Sequence, residues 1–397
     1  MNKRIVVFIL ILASSLSMMS ADLYAPSLPH LADIFGTSAG NIKLTMSLNV
    51  LAYALATLIH GPLSERFGRR PVLLCGLVSF TICSLFCAIA QNIEQLIIAR
   101  IFQGISAAVE GVLVLAIIRD MFEDKDQVRV MAIFGLITAL TPAVAPVLGG
   151  YIHVFFGWRM NFQLLFVLGL AVSWAAWYFL EETSVKNLNA FSLKIIVKDY
   201  GGLLQNKQYL KYCIISGAGL GVFFAFITAG PFILIENHGL ATERFGYFQI
   251  ILVVGYMLGS YAATRLVQTM PIHTILNRAL GILILSAVAI LVLTFNNDET
   301  ILSLGIAMFF ISLGTGPIFA TTPTLAMEAA RSSTGSAAAM LVTFEMGFGA
   351  LAALSVGILH DGSSRPFGLT IAGLAACALL TFLIKHDRKD KFDDSSR

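Results

Sequence analysis

The chain has 397 residues, 57% of them hydrophobic and only 12% charged, with a net charge of +3 and a mean hydropathy of +0.83. A soluble globular chain carries about 25% charged residues, so a soluble fold is excluded in favour of a polytopic membrane protein. The positive balance is not a nucleic-acid footprint, because no basic stripe with interleaved aromatic residues lies outside the loops.

A bilayer core of roughly 30 Å takes about 20 helical residues, and short loops leave room for about twelve spans. The apolar runs place them at residues 5–28, 42–62, 71–90, 95–118, 128–152, 162–180, 209–235, 243–265, 273–295, 300–325, 334–358 and 366–385. The first run follows Lys3 and Arg4, as the core of a signal peptide does. It continues through Asp22 into Tyr24-Ala25-Pro26 with no small-x-small cleavage site, so it is read as a span.

Between the second and third spans stands Gly61-Pro62-Leu63-Ser64-Glu65-Arg66-Phe67-Gly68-Arg69-Arg70-Pro71, read as a tight turn in which glycine and proline serve the bend. On the fourth span, Arg100, Gln103, Gly104, Ala107, Glu110 and Gly111 share a stripe of roughly 120° at 100° per residue, opposite a face of Ile, Leu and Val. That polar and small stripe is expected to line a cavity. Arg119 and Asp120 end the span. The fifth span combines Pro142 and Pro146 with Gly149 and Gly150, which allow bending and close helix approach.

The longest hydrophilic stretch, Glu181 to Gln208, divides the chain into two six-span halves. Within it, Phe191 to Leu204 alternates apolar residues with Lys194, Lys198 and Asp199, which fits a helix along the membrane interface or a flexible linker. The implied organisation is a bundle over 1–180, a linker over 181–208, a second bundle over 209–385 and a tail over 386–397. Paired halves are the construction of secondary transporters. The segment Gly259 to Pro271 echoes the first-half turn only at Gly259, Arg265 and Pro271, so function is expected to be unevenly shared.

Of the 26 Lys and Arg residues, Lys43, Arg159, Arg244 and Arg365 fall on one side and Arg100 within a span; all others share the side of both termini. Short loops rich in Lys and Arg stay in the cytoplasm, so both termini are expected there. The five cysteines, Cys75, Cys83, Cys87, Cys213 and Cys377, lie inside apolar spans without metal-ligand spacing, and no metal or other cofactor is expected.

Four segments carry a resemblance. Gly61 to Pro71 resembles the signature between spans two and three of the major facilitator superfamily, with Glu65 in place of the usual aspartate. Arg100-Ile101-Phe102-Gln103-Gly104 resembles the fourth-span signature. Pro146-Val147-Leu148-Gly149-Gly150 resembles the antiporter signature of the fifth span, with Thr141 and Ala145 where glycines are usual, and Asp22 to Pro29 resembles the end of the first span in Bcr-like proteins. The whole chain resembles the twelve-span drug/proton antiporter group, nearest to the Bcr/CflA and MdfA-like multidrug exporters.

The resemblance implies an all-α membrane fold of two six-helix bundles around a central cavity. It also implies export by alternating access at the bacterial inner membrane, by a monomer whose partners are protons, a small-molecule substrate and the lipid bilayer. The loop carboxylate, the following arginine and the acid ending span four imply a latch on the outward-open state. Here these are Glu65, Arg69 and Asp120, with Gly61, Arg66, Gly68 and Arg70 completing the motif.

Charges inside the membrane extend this reading. One at mid-bilayer costs about 2.5 to 3.5 kcal/mol on insertion scales, which makes Asp22, Arg100, Glu110 and Glu345 functional candidates. Asp22 and Arg100 both lie roughly 9 Å from the midplane on the same side, close enough in depth to pair. Asp22 with Arg100 is the expected proton-coupling site. A static ion pair that fixes packing is the competing reading. Glu110 and Glu345, with Tyr53, Gln103, Phe344 and Met346, are the expected site for a lipophilic cation, held by charge and aromatic faces. If protonated, either glutamate is simply a hydrogen-bonded core residue. A dedicated metabolite exporter such as one for a siderophore would share every motif, whereas a proton-coupled importer would lack the fifth-span antiporter signature. A membrane enzyme or receptor fits poorly, because no nucleophile, metal cluster or soluble catalytic domain stands out.

Overall fold

The computed structural model describes residues 3–184, 193–296, 298–330 and 334–384. The predicted tail and residues 185–192 of the linker lie outside these. Among the described residues all regular structure is helical, and twelve segments are long and apolar enough to cross a bilayer.

The first crossing is broken. α1 (Lys3–Asp22) stops where Pro26 and Pro29 withdraw two backbone N–H donors, one 3-10 turn follows at Ala25–Ser27, and α2 (Leu28–Phe35) completes the crossing. α3 (Ala39–Phe67) and α4 (Arg69–Ile89) are separated by Gly68 alone, at φ +102°, where an L side chain would be strained. The expected eleven-residue turn is therefore almost wholly helical. Pro62 sits inside α3, and Pro71 falls in the first turn of α4, where N–H groups have no intrahelical partner to lose.

α5 (Ile93–Met121) starts at Asn92, whose side chain accepts from the Gln95 N–H at 2.9 Å. α6 (Asp124–Phe156) and α7 (Arg159–Phe179) complete the first bundle. In the linker, α8 (Leu193–Gln205) is helical; Leu203 is buried and the Tyr200 hydroxyl donates to the Leu58 carbonyl at 3.0 Å. The second bundle comprises α9 (Lys207–Pro231) with a π-turn at Phe232–Asn237, α10 (Phe245–Leu266), α11 (Ile272–Asn296), α12 (Ile301–Ala330), α13 (Thr334–Ile358) and α14 (Arg365–Leu383).

The bundles meet along two helix pairs, α3 with α13 and α6 with α10. Helix ends define a termini face, where Lys3 Nζ donates to the Met121 carbonyl at 2.7 Å, and an opposite face. The opposite face is closed. Gly149 of α6 lies on the backbone of Leu23 at the α1 break, and Gly150 lies on Thr242 and Glu243 of the other bundle, where a Cβ would come within 2.8 Å of the Thr242 carbonyl. Side chains reinforce the closure: His30 Nε2 and Thr242 Oγ1 are 2.9 Å apart, the His30 and His153 rings stack at 4.6 Å, and Lys43 Nζ donates to His360 Nδ1 at 2.7 Å.

Candidate functional site

Between the bundles lies a cavity of about 490 Å³. The first bundle supplies Asp22, Asn49, Tyr53 and Ala107 to its wall, and the second supplies Phe223, Phe224, Gln249, Tyr256, Phe319, Glu345 and Met346. None of the residues lining it is Lys, Arg or His.

Asp22 reaches this cavity because the proline break ends α1 at that residue. Among the described residues its carboxylate has neither a hydrogen bond nor an ion pair, and the expected pairing with Arg100 is not made. Arg100, fully buried, instead donates from Nη1 to the Ser20 carbonyl at 2.9 Å and to Gln103 Oε1 at 2.5 Å. Its Nε is 3.5 Å from the Thr45 carbonyl, and its guanidinium lies 4.6 Å above the Tyr24 ring. The physical reason is the helix break. The last-turn carbonyls of α1 carry the negative end of the helix dipole, and the buried guanidinium satisfies the one at Ser20. Arg100 therefore holds the backbone that presents Asp22, and its Nη2 remains without a partner.

The α5 stripe is turned differently from the expectation. Only Ala107 of its members lines the cavity. Gly104 packs on the Asn49 backbone, Gly111 on the Tyr53 hydroxyl, and Gln103 spends its amide on Arg100 and on Ser84 Oγ, 2.8 Å away. A stripe of small and polar residues suits close helix packing as well as it suits a water-filled wall, and here it packs against α3. Gln103 is thus off the cavity wall. Glu110 is also off the wall: it is fully buried, and neither carboxylate oxygen has a hydrogen-bond partner.

Glu345 does line the cavity and accepts a 2.6 Å hydrogen bond from Ser216 Oγ of α9. Tyr53 lies within electrostatic reach of both Glu110 and Glu345. Met346 shares the wall, whereas Phe344 packs against the apolar core. The second-bundle aromatic residues on the wall, Phe223, Phe224, Tyr256 and Phe319, went unread in the sequence, since an aromatic ring in an apolar span gives no signal of its own. Asn49 and Gln249 could have been found as polar residues inside apolar runs. Asn49 Nδ2 donates to the Arg100 carbonyl at 2.7 Å, and Gln249 Oε1 is buried without a partner.

On the termini face, Arg69 Nε pairs with Asp120 Oδ2 at 3.3 Å, and its Nη1 donates to Ser64 Oγ. Glu65 does not join them; it is exposed and stands near Tyr200 of α8, whose hydroxyl it helps hold up at about 12, behind burial and Asp199. The unforeseen partner is Glu182. Its carboxylate accepts from the Arg69 and Arg70 backbone N–H groups at 2.8 and 3.3 Å, capping the first turn of α4 beside Gly68. Arg70 donates to the Leu180 and Trp177 carbonyls at 2.6 and 2.8 Å, and the Arg66 guanidinium lies 5.3 Å from the Phe67 ring. Gly61 lies within α3. The Arg69–Asp120 pair staples two helices of one bundle and is formed while the opposite face is closed. In the Pro146–Gly150 segment, Gly149 and Gly150 make the close backbone contacts described above, and Pro146 lies inside α6.

Residues 10–354 match the family model of the Major Facilitator Superfamily. A bicyclomycin resistance protein homolog of Haemophilus influenzae is 28% identical over 399 residues, covering 98% of this chain and 99% of its own. A chloramphenicol resistance protein of Pseudomonas aeruginosa is 26% identical, covering 92% and 86%. The fold is also that of the xylose transporter XylE from E. coli, with a TM-score of 0.73 at 13% identity over 98% of each chain.

Proposed function

The chain belongs to the Major Facilitator Superfamily, and on that footing we propose that it is a proton-coupled exporter of lipophilic cationic drugs. It is a transporter rather than an enzyme. The observation that carries the proposal is the cavity: two acids, one from each bundle, stand among aromatic rings with no basic side chain on the wall. A lipophilic cation is attracted there by carboxylate charge and by ring faces, while an anion would meet only repulsion. The resistance names borne by the relatives support export of drugs.

Both termini face the cytoplasm of a bacterial inner membrane in this reading, because the Lys and Arg residues gather on the termini face. The closed opposite face then looks outward, and the cavity exchanges with the cytoplasm. Asp22 takes the coupling proton: unpaired at the cavity edge, it must hold either a proton or a cation. Arg100 keeps it there by gripping the end of α1. Rocking of the bundles about the α3–α13 and α6–α10 contacts then exposes the cavity to the other side.

Purified protein in proteoliposomes with a pH-sensitive dye inside tests this. Adding tetraphenylphosphonium should release protons from the wild type, and Asp22→Asn should abolish the release. Release that persists in Asp22→Asn, or that follows an anionic drug equally well, would overturn the proposal.

A further inference from the structure

A further conclusion rests on the cation-exporter reading and concerns how much positive charge the cavity takes at once. Asp22 comes from the first bundle and Glu345 from the second, and both line the same cavity. Neither meets a cation of the protein. Asp22 has no partner among the described residues, and Glu345 receives one neutral donor, the Ser216 hydroxyl at 2.6 Å. Arg100, fully buried, is committed to the Ser20 carbonyl, Gln103 and the Tyr24 ring, and does not reach the wall.

The cavity therefore has two anionic positions and no built-in countercharge. An uncompensated buried carboxylate is too costly to carry through a conformational change, so each must be neutralised by a proton or by substrate charge. A substrate with one cationic centre can neutralise one acid only. The aromatic rings are placed for two centres: Tyr53 belongs to the first bundle, while Phe223, Phe224, Tyr256 and Phe319 belong to the second. We infer that Asp22 and Glu345 act together to select aromatic dications, each exported dication being exchanged for two protons. Charge balances: two protons bind the two carboxylates on the outer side, both leave to the cytoplasm as the dication enters, and the dication leaves to the outside.

Methyl viologen and its singly methylated bipyridinium analogue make the test, since they share a ring skeleton and differ by one charge. In proteoliposomes the wild type should move both, releasing two protons per viologen. Glu345→Gln should lower viologen transport about tenfold or more, the worth of one lost charge-assisted contact, and lower it several times more than analogue transport. Glu345→Asp should restore viologen transport, and an unchanged thermal melt of the purified glutamine variant shows that it is folded. Transport of the analogue without viologen, one proton per viologen, or equal losses for both compounds in Glu345→Gln would overturn the inference and leave the exporter reading standing. Transport of neither compound by the wild type would overturn both.

Discussion

The closed opposite face should open as its surroundings acidify, through His360. This residue follows α13 and accepts the Lys43 ammonium at 2.7 Å, so its Nδ1 must be free of a proton. Lys43, 2% exposed, also lies 4.3 Å from the Phe232 ring centroid, and Glu236 and Asp361 are the acids within electrostatic reach of it. Burial first, and Lys43 second, hold the His360 imidazole below the ordinary histidine range, with Asp361 pulling the other way. When the face opens, His360 returns toward its ordinary value of about 6.5. The sign follows: the closed face takes up the proton less readily, so closure is complete above about pH 6.5 and weakens as the pH falls below it. The limiting slope is about tenfold in the closed-to-open ratio per pH unit, or about 1.4 kcal/mol. Spin labels on Asp33→Cys and Asp298→Cys, with native cysteines replaced, would report the separation. The wild type should shift toward the longer distance between about pH 8 and about pH 5. His360→Gln keeps an acceptor for Lys43 but cannot titrate, and should lose that component while retaining His30 and His153. Identical pH profiles for the two proteins would refute the reasoning.

Three further outcomes are expected. Arg100→Lys gives up most of its contacts with Ser20, Gln103 and Thr45 and should lower thermal stability by about 3 kcal/mol; Asp22→Asn, lacking any ion pair to break, should stay near wild type in the same melt. Equal destabilisation of both would restore the ion pair between them. Glu182→Gln weakens the cap on α4 and should cost about 1 kcal/mol by denaturation, more than Asp120→Asn, whose pair with Arg69 is partly solvated at 14% and 28% exposure. Gly150→Val drives a side chain into the Thr242 and Glu243 backbone and should lengthen the Asp33–Asp298 label distance at every pH; an unchanged distance would mean the contact is not needed for closure.

How much of this was legible in the sequence depends on what each residue had to reveal. Length and hydropathy fix how many helices cross and where, because backbone hydrogen bonding inside a bilayer leaves few alternatives to a helix of about 20 residues. Charge within an apolar span is a legible flag, and Asp22 and Glu345 both line the cavity; depth is less decisive, since Asp22 and Arg100 share a depth without pairing. Rotation about the helix axis is a different matter. The stripe on α5 is real, but small residues mark a helix neighbour as readily as an aqueous wall. Only the position of α3 decides that Gly104 and Gly111 meet Asn49 and Tyr53 and that Gln103 is spent on Arg100.

Partner choice was the least legible. Two opposite charges at one depth invite an ion pair, yet α1 ends at Asp22, and the Ser20 carbonyl in its last turn outcompetes Asp22 for Arg100. The same competition governs the termini face, where the α4 start left by Gly68 draws in Glu182 from beyond α7, while Glu65, two residues before Phe67, faces α8 instead. In both places a helix end, with its unpaired backbone groups, outbid a side-chain charge. A charged residue near a chain break is therefore better assigned first to the backbone ends and only then to its opposite charge. On that rule Asp22 is left as the acid free to exchange protons.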